Sequence, residues 1–410
     1  MMQASESTNA SAFKQSQLNI GTLGHVDHGK TTLTSAITHV WTDTHSESIK
    51  RSMTIKLGYA DATIYLCGNP EQDNAYTTVS KCNGSEAKPL RRISLLDAPG
   101  HETLMATAIA GSSIIDAALF VIAANEPCPM PQTKEHMMII NALDIKRVIV
   151  AQTKIDLVGK EKAKQHYAQI RQFLKGSVAE NAPIIPIMAN RGINVDSLLK
   201  EIAQLPLPQH DTAADPIMYI ARSFDVNRPG TPVGELLGGV VGGSIIKGKF
   251  KVGDEIEIRP GVNTSQKKEA YEPIITKIET ISSGDELLQE AIAGGLVALG
   301  TDLDPSYTKA DSLVGQLVGK VGKLPETTYS LRINYTALDR PDLPKQAFKA
   351  NEPLLLGIGT GTFIGYIKNV RRNTLEINLK YPACVEDSAK ISVLRNLGQR
   401  WRLAGYATLA

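Results

Sequence analysis

The run GHVDHGKTT, residues 24–32, constrains this chain more than any other stretch. From Gly24 to Thr31 it satisfies the spacing G-x-x-x-x-G-K-[ST]. It also stands in the context that spacing needs. LNIGTLG (18–24) reads as a buried strand before it, and residues 30–40 read as a helix after it. A chance glycine-rich turn would lack that order. The glycines let successive backbone N–H groups turn inward around phosphate oxygens, and the helix N-terminus adds its positive end. Lys30 is placed to reach the β and γ phosphates, and the Thr31 hydroxyl to ligate Mg²⁺. His25, Val26, His28 and Thr32 complete the loop, the histidines shaping it, and Asp27 is a further candidate cation ligand.

Four more aliphatic runs follow: ISLLDAPG (93–100), AALFVIAA (117–124), RVIVAQTK (147–154) and PIIPIMA (183–189). Continuous runs of this kind mark strands covered on both faces. Helical stretches are expected between them, at 102–112, 133–143, 160–173 and 195–204. The pattern predicts a doubly wound α/β domain with a mainly parallel sheet. Two strand ends carry chemistry. In Asp97-Ala-Pro-Gly100, the carboxylate can hold Mg²⁺ through water and the Gly100 amide can meet a γ phosphate. His101 follows at once, placed to orient an attacking water. In Thr153-Lys154-Ile155-Asp156, the Asp156 carboxylate can accept two hydrogen bonds from guanine N1 and N2, a donor pair that adenine lacks. One charge-assisted bond is worth ~1.5–3 kcal/mol. The Lys154 stem can lie on the purine face. The nucleotide is read as GTP.

The pattern changes at PLPQHDTAADP (206–216). Beyond it, glycine pairs and short alternating strands replace helical periodicity, as in small β-barrels. A second boundary fits GKLPETTYS (322–330). The expected organisation is a disordered tail (1–16), a GTP-binding domain (17–208), and two β-barrel domains (209–325 and 326–410). A formal net charge of +2 on 410 residues means that any nucleic-acid site is local. KNVRR (368–372) and RWR (400–402) are such local basic stretches. Cys67, Cys82, Cys128 and Cys384 are sparse, which fits a reducing cytosol, and Cys128 and Cys384 read as buried apolar residues. The longest apolar stretch, residues 114–124, is too short to span a bilayer. A cytoplasmic protein with no membrane partner is expected.

The order GHVDHGKT, DAPGH, TKID, followed by two β domains, resembles the translational GTPases related to elongation factor Tu. Finer stretches resemble one family among them, the gamma subunits of eukaryotic and archaeal translation initiation factor 2. These are WTDTHSE (41–47), MTIKLGYADA (53–62), ANEPCPMPQTKEH (124–136), KGSVAENAPIIP (175–186), ARSFDVNRPGTP (221–232), GGVVGGSI (238–245) and RWRLAGYATL (400–409). The resemblance covers nearly the whole chain after the tail. It implies a GTPase, stimulated on the ribosome, that carries initiator methionyl-tRNA to the small ribosomal subunit and releases it after hydrolysis. It also implies an alpha subunit on the second domain and a beta subunit on the first. Thr54 matches the switch-one threonine that completes the Mg²⁺ shell when the γ phosphate is present. Val26 and Met53 match the apolar pair flanking the catalytic His101, and Tyr59 matches a tyrosine near the tRNA site. Met188, Ala189 and Asn190 match the stretch that approaches guanine O6. Loss of the γ phosphate would free switch one (42–55) and switch two (97–107).

The sequence departs from this family in three places. Thr153 stands where the family usually has Asn, and can supply one hydroxyl but not a carboxamide. Met188 stands where the family usually has Ser. In the insert (67–85), many relatives carry two C-x-x-C pairs, a zinc knuckle. Here Pro70 and Ser85 occupy half of each pair, and the insert holds no His. No zinc is expected at Cys67 and Cys82. Two rival readings share parts of the pattern: an elongation-type or selenocysteine-type tRNA carrier, and a P-loop metabolic GTPase subunit. The family-specific stretches argue against the first, and nothing resembles a transferase site for the second.

Overall fold

The computed structural model describes residues 14–42, 58–82, 84–98, 112–264, 271–340, 347–398 and 400–410. Of the expected tail, residues 1–13 lie outside these. The chain divides into two units, residues 1–108 with 115–208, and 109–114 with 209–410.

In the first unit the aliphatic runs become strands: β1 (Asn19–Leu23), β6 (Lys88–Asp97), β7 (Ala117–Ala123), β8 (Val148–Thr153) and β9 (Ile184–Pro186). Every position of β1, β7 and β8 is buried. Strands apolar on both faces need cover on both faces. Helices α1 (Lys30–Thr38) and α4 (Val195–Gln204) supply one layer, packing Leu33, Ile37, Leu198 and Ile202 against Ile20, Leu119 and Ile149. Helices α2 (Pro131–Ala142) and α3 (Lys160–Leu174) supply the other, packing Met137, Ile140, Ile170 and Leu174 against Phe120, Ile122 and Val150. On α4 the buried residues are Val195, Leu198, Leu199 and Ile202, the i, i+3, i+4, i+7 stripe of a one-sided helix. The helix expected at 102–112 lies outside the described residues except Ser112, which opens a 3₁₀ turn, Ser112–Ile114.

With β2 (Gly58–Leu66) and β3 (Tyr76–Thr77), the sheet order is β3-β2-β6-β1-β7-β8-β9. The pairings β6–β1, β1–β7, β7–β8 and β8–β9 are parallel. The order reverses at β1, so the crevice beyond its carboxyl end is where a ligand sits in folds of this kind. GHVDHGKTT begins there. Strand β2 (Gly58–Leu66), antiparallel to β6, was not among the expected strands. Its residues GYADATIYL alternate between buried and half-buried for most of their length, a period-2 pattern weaker than the aliphatic runs. A two-residue strand, β3 (Tyr76–Thr77), extends it. The insert adds a small hairpin, β4 (Lys81–Cys82) with β5 (Ser85–Glu86).

The second unit contains two barrels. In the first, β13 (Glu255–Asn263), β18 (Leu317–Lys320), β10 (Ile217–Phe224), β11 (Val240–Lys247), β17 (Leu296–Thr301) and β14 (Tyr271–Ser283) follow one another, and β14 pairs back to β13 to close the ring. Strand β15 (Glu286–Leu288) extends β14, and β12 (Lys249–Lys251) pairs with β16 (Glu290–Ile292). Met218, Val241, Ile256, Ile278 and Leu299 fill the interior. The second barrel closes in the order β19 (Thr327–Ala337), β22 (Thr374–Cys384), β21 (Gly361–Arg371), β20 (Pro353–Ile358), β23 (Ile391–Leu397), β24 (Arg400–Leu409). Ile333, Leu356, Ile377 and Val393 fill it. The fold is therefore the expected α/β domain followed by two β-barrels, and closure removes the free strand edges. Cys384 is buried, as expected. Cys128 is only half-buried, because it lies in the connection between β7 and α2, and such connections run over the surface. Among the described residues no helix is long and apolar enough to cross a membrane.

Candidate functional site

Gly24 leaves β1 with φ 148°, Asp27 has φ 59° and Gly29 has φ 84°. A Cβ on Gly24 would strike the Val121 carbonyl oxygen. Positive φ at these positions is the kind of backbone that anion-binding nests use. Gly29 caps α1, so Lys30 is its first residue. Lys30 is buried, and its ammonium donates to the carbonyls of Gly24 (3.0 Å) and His25 (2.8 Å). Burial pulls its pKa down to about 8, against the attraction of Asp97 and Asp27.

Between about pH 8 and 10.5 the unfolded chain binds more protons at Lys30 than the folded one, so nucleotide-free stability contributed by this residue rises with pH there. Bound phosphates oppose the shift and restore the charge. GDP binding at pH 8.5 should therefore take up a sizeable fraction of a proton. Calorimetry in two buffers of different ionisation enthalpy reads this directly, and identical heats in both would contradict it.

The carboxylate partner is Asp97, fully buried at the end of β6. The parallel register sets Thr22 of β1 beside it. Oδ1 accepts from the Thr22 hydroxyl at 3.0 Å, and Oδ2 accepts from Thr31 at 2.6 Å and Thr42 at 2.9 Å. Burial nonetheless raises its pKa, with the Thr31 hydrogen bond and the Lys30 charge pulling the other way. A buried carboxylate beside hydroxyls is a hard-oxygen set of the kind that suits Mg²⁺.

Behind the loop, the His28 ring meets the Val121 carbonyl at 3.1 Å and the Glu126 carboxylate at 3.2 Å. Burial outweighs both and lowers its pKa to about 4, so the ring is neutral at pH 7. The His25 ring lies 5.2 Å from it, its pKa also lowered by burial. His136 of α2 is fully buried, its pKa pulled to about 3 mainly by burial. Among the described residues neither of its ring nitrogens has a hydrogen-bond partner. Val26 and Thr32 are half-buried and Asp27 is exposed.

The residues expected to recognise the base lie at the ends of β8 and β9. The Thr153 hydroxyl, which the sequence marked only as a departure, donates to the His28 carbonyl at 2.6 Å and so ties the base loop to the phosphate loop. Lys154 adopts φ 55°. Asp156 sits in the 3₁₀ turn Ile155–Leu157 and is exposed. Met188 pairs with Ile193, and Ala189–Arg191 forms another 3₁₀ turn carrying Asn190. β8 and β9 are parallel neighbours, so both loops leave the same edge of the sheet. Met53, Thr54, Gly100 and His101 lie outside the described residues. Tyr59 is on β2, half-buried against the core cluster that includes Phe120 and Ile140. Thr22, Thr42, Glu126 and His136 were not singled out from the sequence. Thr22 had a faint signal, being the one hydroxyl in the apolar run LNIGTL.

Family models match along the chain. Residues 15–207 match the elongation factor Tu GTP binding domain, 238–316 match elongation factor Tu domain 2, and 329–409 match the model "Initiation factor eIF2 gamma, C terminal". Fold and family models together define a translational GTPase, so the chain binds GTP and GDP and hydrolyses GTP. Over 407 residues the chain is 49% identical to translation initiation factor 2 subunit gamma of Methanococcus maripaludis, covering 97% of this chain and 99% of that one. It is also 49% identical to the Pyrococcus horikoshii protein of that name, covering 97% and 98%. The chain belongs to the family of translation initiation factor 2 gamma subunits. Among solved structures, a bacterial selenocysteine-specific elongation factor shares the fold with a TM-score of 0.74 at 24% identity. That match covers 96% of this chain and spans 58% of the other.

Proposed function

We propose that the chain carries initiator methionyl-tRNA in its GTP state, delivers it to the small ribosomal subunit, and releases it after hydrolysis. It works in the cytoplasm with an alpha subunit on the barrel of 209–325 and a beta subunit on the domain of 17–208. The supporting observation is the meeting at Asp97. Thr42, the first residue of switch one, donates to the same carboxylate oxygen as Thr31 of the phosphate loop. The switch is thereby wired to the site where phosphate charge changes.

Thr31 and Asp97, with Thr54 and Asp27 from the sequence, would hold Mg²⁺, and their oxygen donors fit it. Bound there, the ion offsets the charge on the β and γ phosphates. Gly100 would meet the γ phosphate and His101 would orient the water, with Val26 and Met53 holding His101 back until the ribosome acts. Replacing His101 by Ala should lower ribosome-stimulated turnover at least ~100-fold while leaving GTP affinity within about twofold. Undiminished stimulated turnover would remove His101 from this role. Tyr59 is assigned to the tRNA side. Competition among charged tRNAs tests the cargo. Preference for initiator methionyl-tRNA supports the reading, and equal or better binding of elongator or selenocysteinyl-tRNA favours the rival carrier.

A further inference from the structure

Family resemblance implies a zinc knuckle in the insert, and this chain's residues do not fit one. The structure joins the Cys67 and Cys82 sulfurs to each other, with Cα atoms 5.8 Å apart. Pro70 and Ser85 stand where further thiols would complete the donor set. Among the described residues no group of three His, Cys, Asp or Glu side chains gathers here or elsewhere to hold a metal. Two thiolates alone make half of a tetrahedral structural site.

We propose that Cys67 and Cys82 form a reversible dithiol–disulfide clamp on the insert, closed by hydroperoxides and coupled to the nucleotide site. Both residues are half-buried and so within reach of a small oxidant. Backbone geometry presets the pair. The Cys67 N–H donates to the Ala75 carbonyl at 2.7 Å, and Cys82 sits in the β4–β5 hairpin. The loop they close is anchored to two helices. Asp73 pairs with Lys200 of α4 at 2.8 Å and accepts from Ser197 at 2.9 Å, and Lys200 also donates to the Glu71 carbonyl at 2.9 Å. Thr78 meets the ring of His39 at 2.9 Å. His39 caps the C-terminus of α1, the helix that begins with Lys30, and lies just before Thr42. Closing the clamp restricts the segment that bears Thr78, and through His39 restricts the exit of α1 into switch one.

The chemistry balances with hydrogen peroxide as oxidant. One thiolate attacks a peroxide oxygen, the O–O bond breaks, a sulfenic acid forms, and the hydroxide that leaves takes the proton released by the thiol to become water. The second thiolate attacks the sulfenic sulfur, the S–S bond forms, and hydroxide leaves and is protonated to a second water. Two thiols lose two electrons and the peroxide gains them. A dithiol reductant reverses the step by exchange. Cys128 and Cys384 serve as internal controls, since burial pushes each thiol up to about 12 and keeps it from the reactive thiolate form.

The test uses the purified full-length chain, fully reduced and then treated with hydrogen peroxide. Thiols are counted in denaturant, the crosslinked peptide is sought by mass spectrometry, and bound zinc is measured. The proposal expects two thiols lost, a Cys67–Cys82 peptide, and a melting temperature raised on the order of 5 °C. It also expects GDP dissociation slowed several-fold on oxidation. Neither effect should occur in Cys67→Ser or Cys82→Ser, each checked for folding by retained GDP binding. One equivalent of zinc that is lost on Cys67→Ser, or four thiols surviving peroxide, would overturn the clamp. Oxidation that leaves GDP dissociation unchanged would overturn the coupling.

Discussion

Replacing Asp156 by Asn should cut GDP affinity ~100- to 1000-fold and create affinity for xanthosine diphosphate. The carboxylate offers two acceptors to the N1 and N2 donors of guanine. A carboxamide offers one acceptor and one donor, so one guanine donor then faces another donor. Xanthine carries a carbonyl at position 2, which the carboxamide donor matches. The exchange costs little in the fold, because Asp156 is exposed in its 3₁₀ turn and makes no hydrogen bond there among the described residues. Competition against a fluorescent GDP analogue gives both affinities. Unchanged guanine preference would move base recognition away from this turn.

Lys30→Met should abolish measurable GDP binding, a loss of at least ~100-fold, since the phosphates lose a charge-assisted donor. Nucleotide-free stability should change little. The buried ammonium has its pKa pulled from 10.5 to about 8, a shift of roughly 2.5, so its charge is disfavoured at pH 7 by about 3 kcal/mol. Methionine removes that burden and keeps most of the volume. Against it stand the carbonyls of Gly24 and His25, which lose their donor, at about 1–3 kcal/mol each if left unsatisfied. The terms are of similar size, so the melting temperature should move by only a few degrees. A large drop in melting temperature with GDP binding intact would make Lys30 a structural residue.

What the sequence made legible was whatever is local in it. The phosphate loop, Asp97 and the TKID turn each sit at the end of an aliphatic run, so their strand context could be read with them. The runs became β1, β6, β7, β8 and β9 because strands buried on both faces have no solvent face to interrupt them. Strand β2 was missed because one of its faces is only half-buried, and GYADATIYL shows no continuous apolar run. The site's bracing was hidden for a different reason. Thr22 meets Asp97 through register across 75 residues, and Thr153 meets His28 across 125. Nothing in either residue's neighbourhood announces a partner that far away. Thr153 is the sharper case. As a substitute for Asn it offers no carboxamide, yet its single hydroxyl reaches the phosphate loop.

Under the proposed function, γ-phosphate state, read at Asp97 and switch one, controls affinity for initiator methionyl-tRNA. The most direct measurement is equilibrium binding of that tRNA to the chain saturated with GTP analogue or with GDP, with and without the alpha and beta subunits. At least ~10-fold tighter binding is expected in the GTP state, a coupling of about 1.4 kcal/mol or more. Equal affinities in the two nucleotide states, with all subunits present, would contradict it.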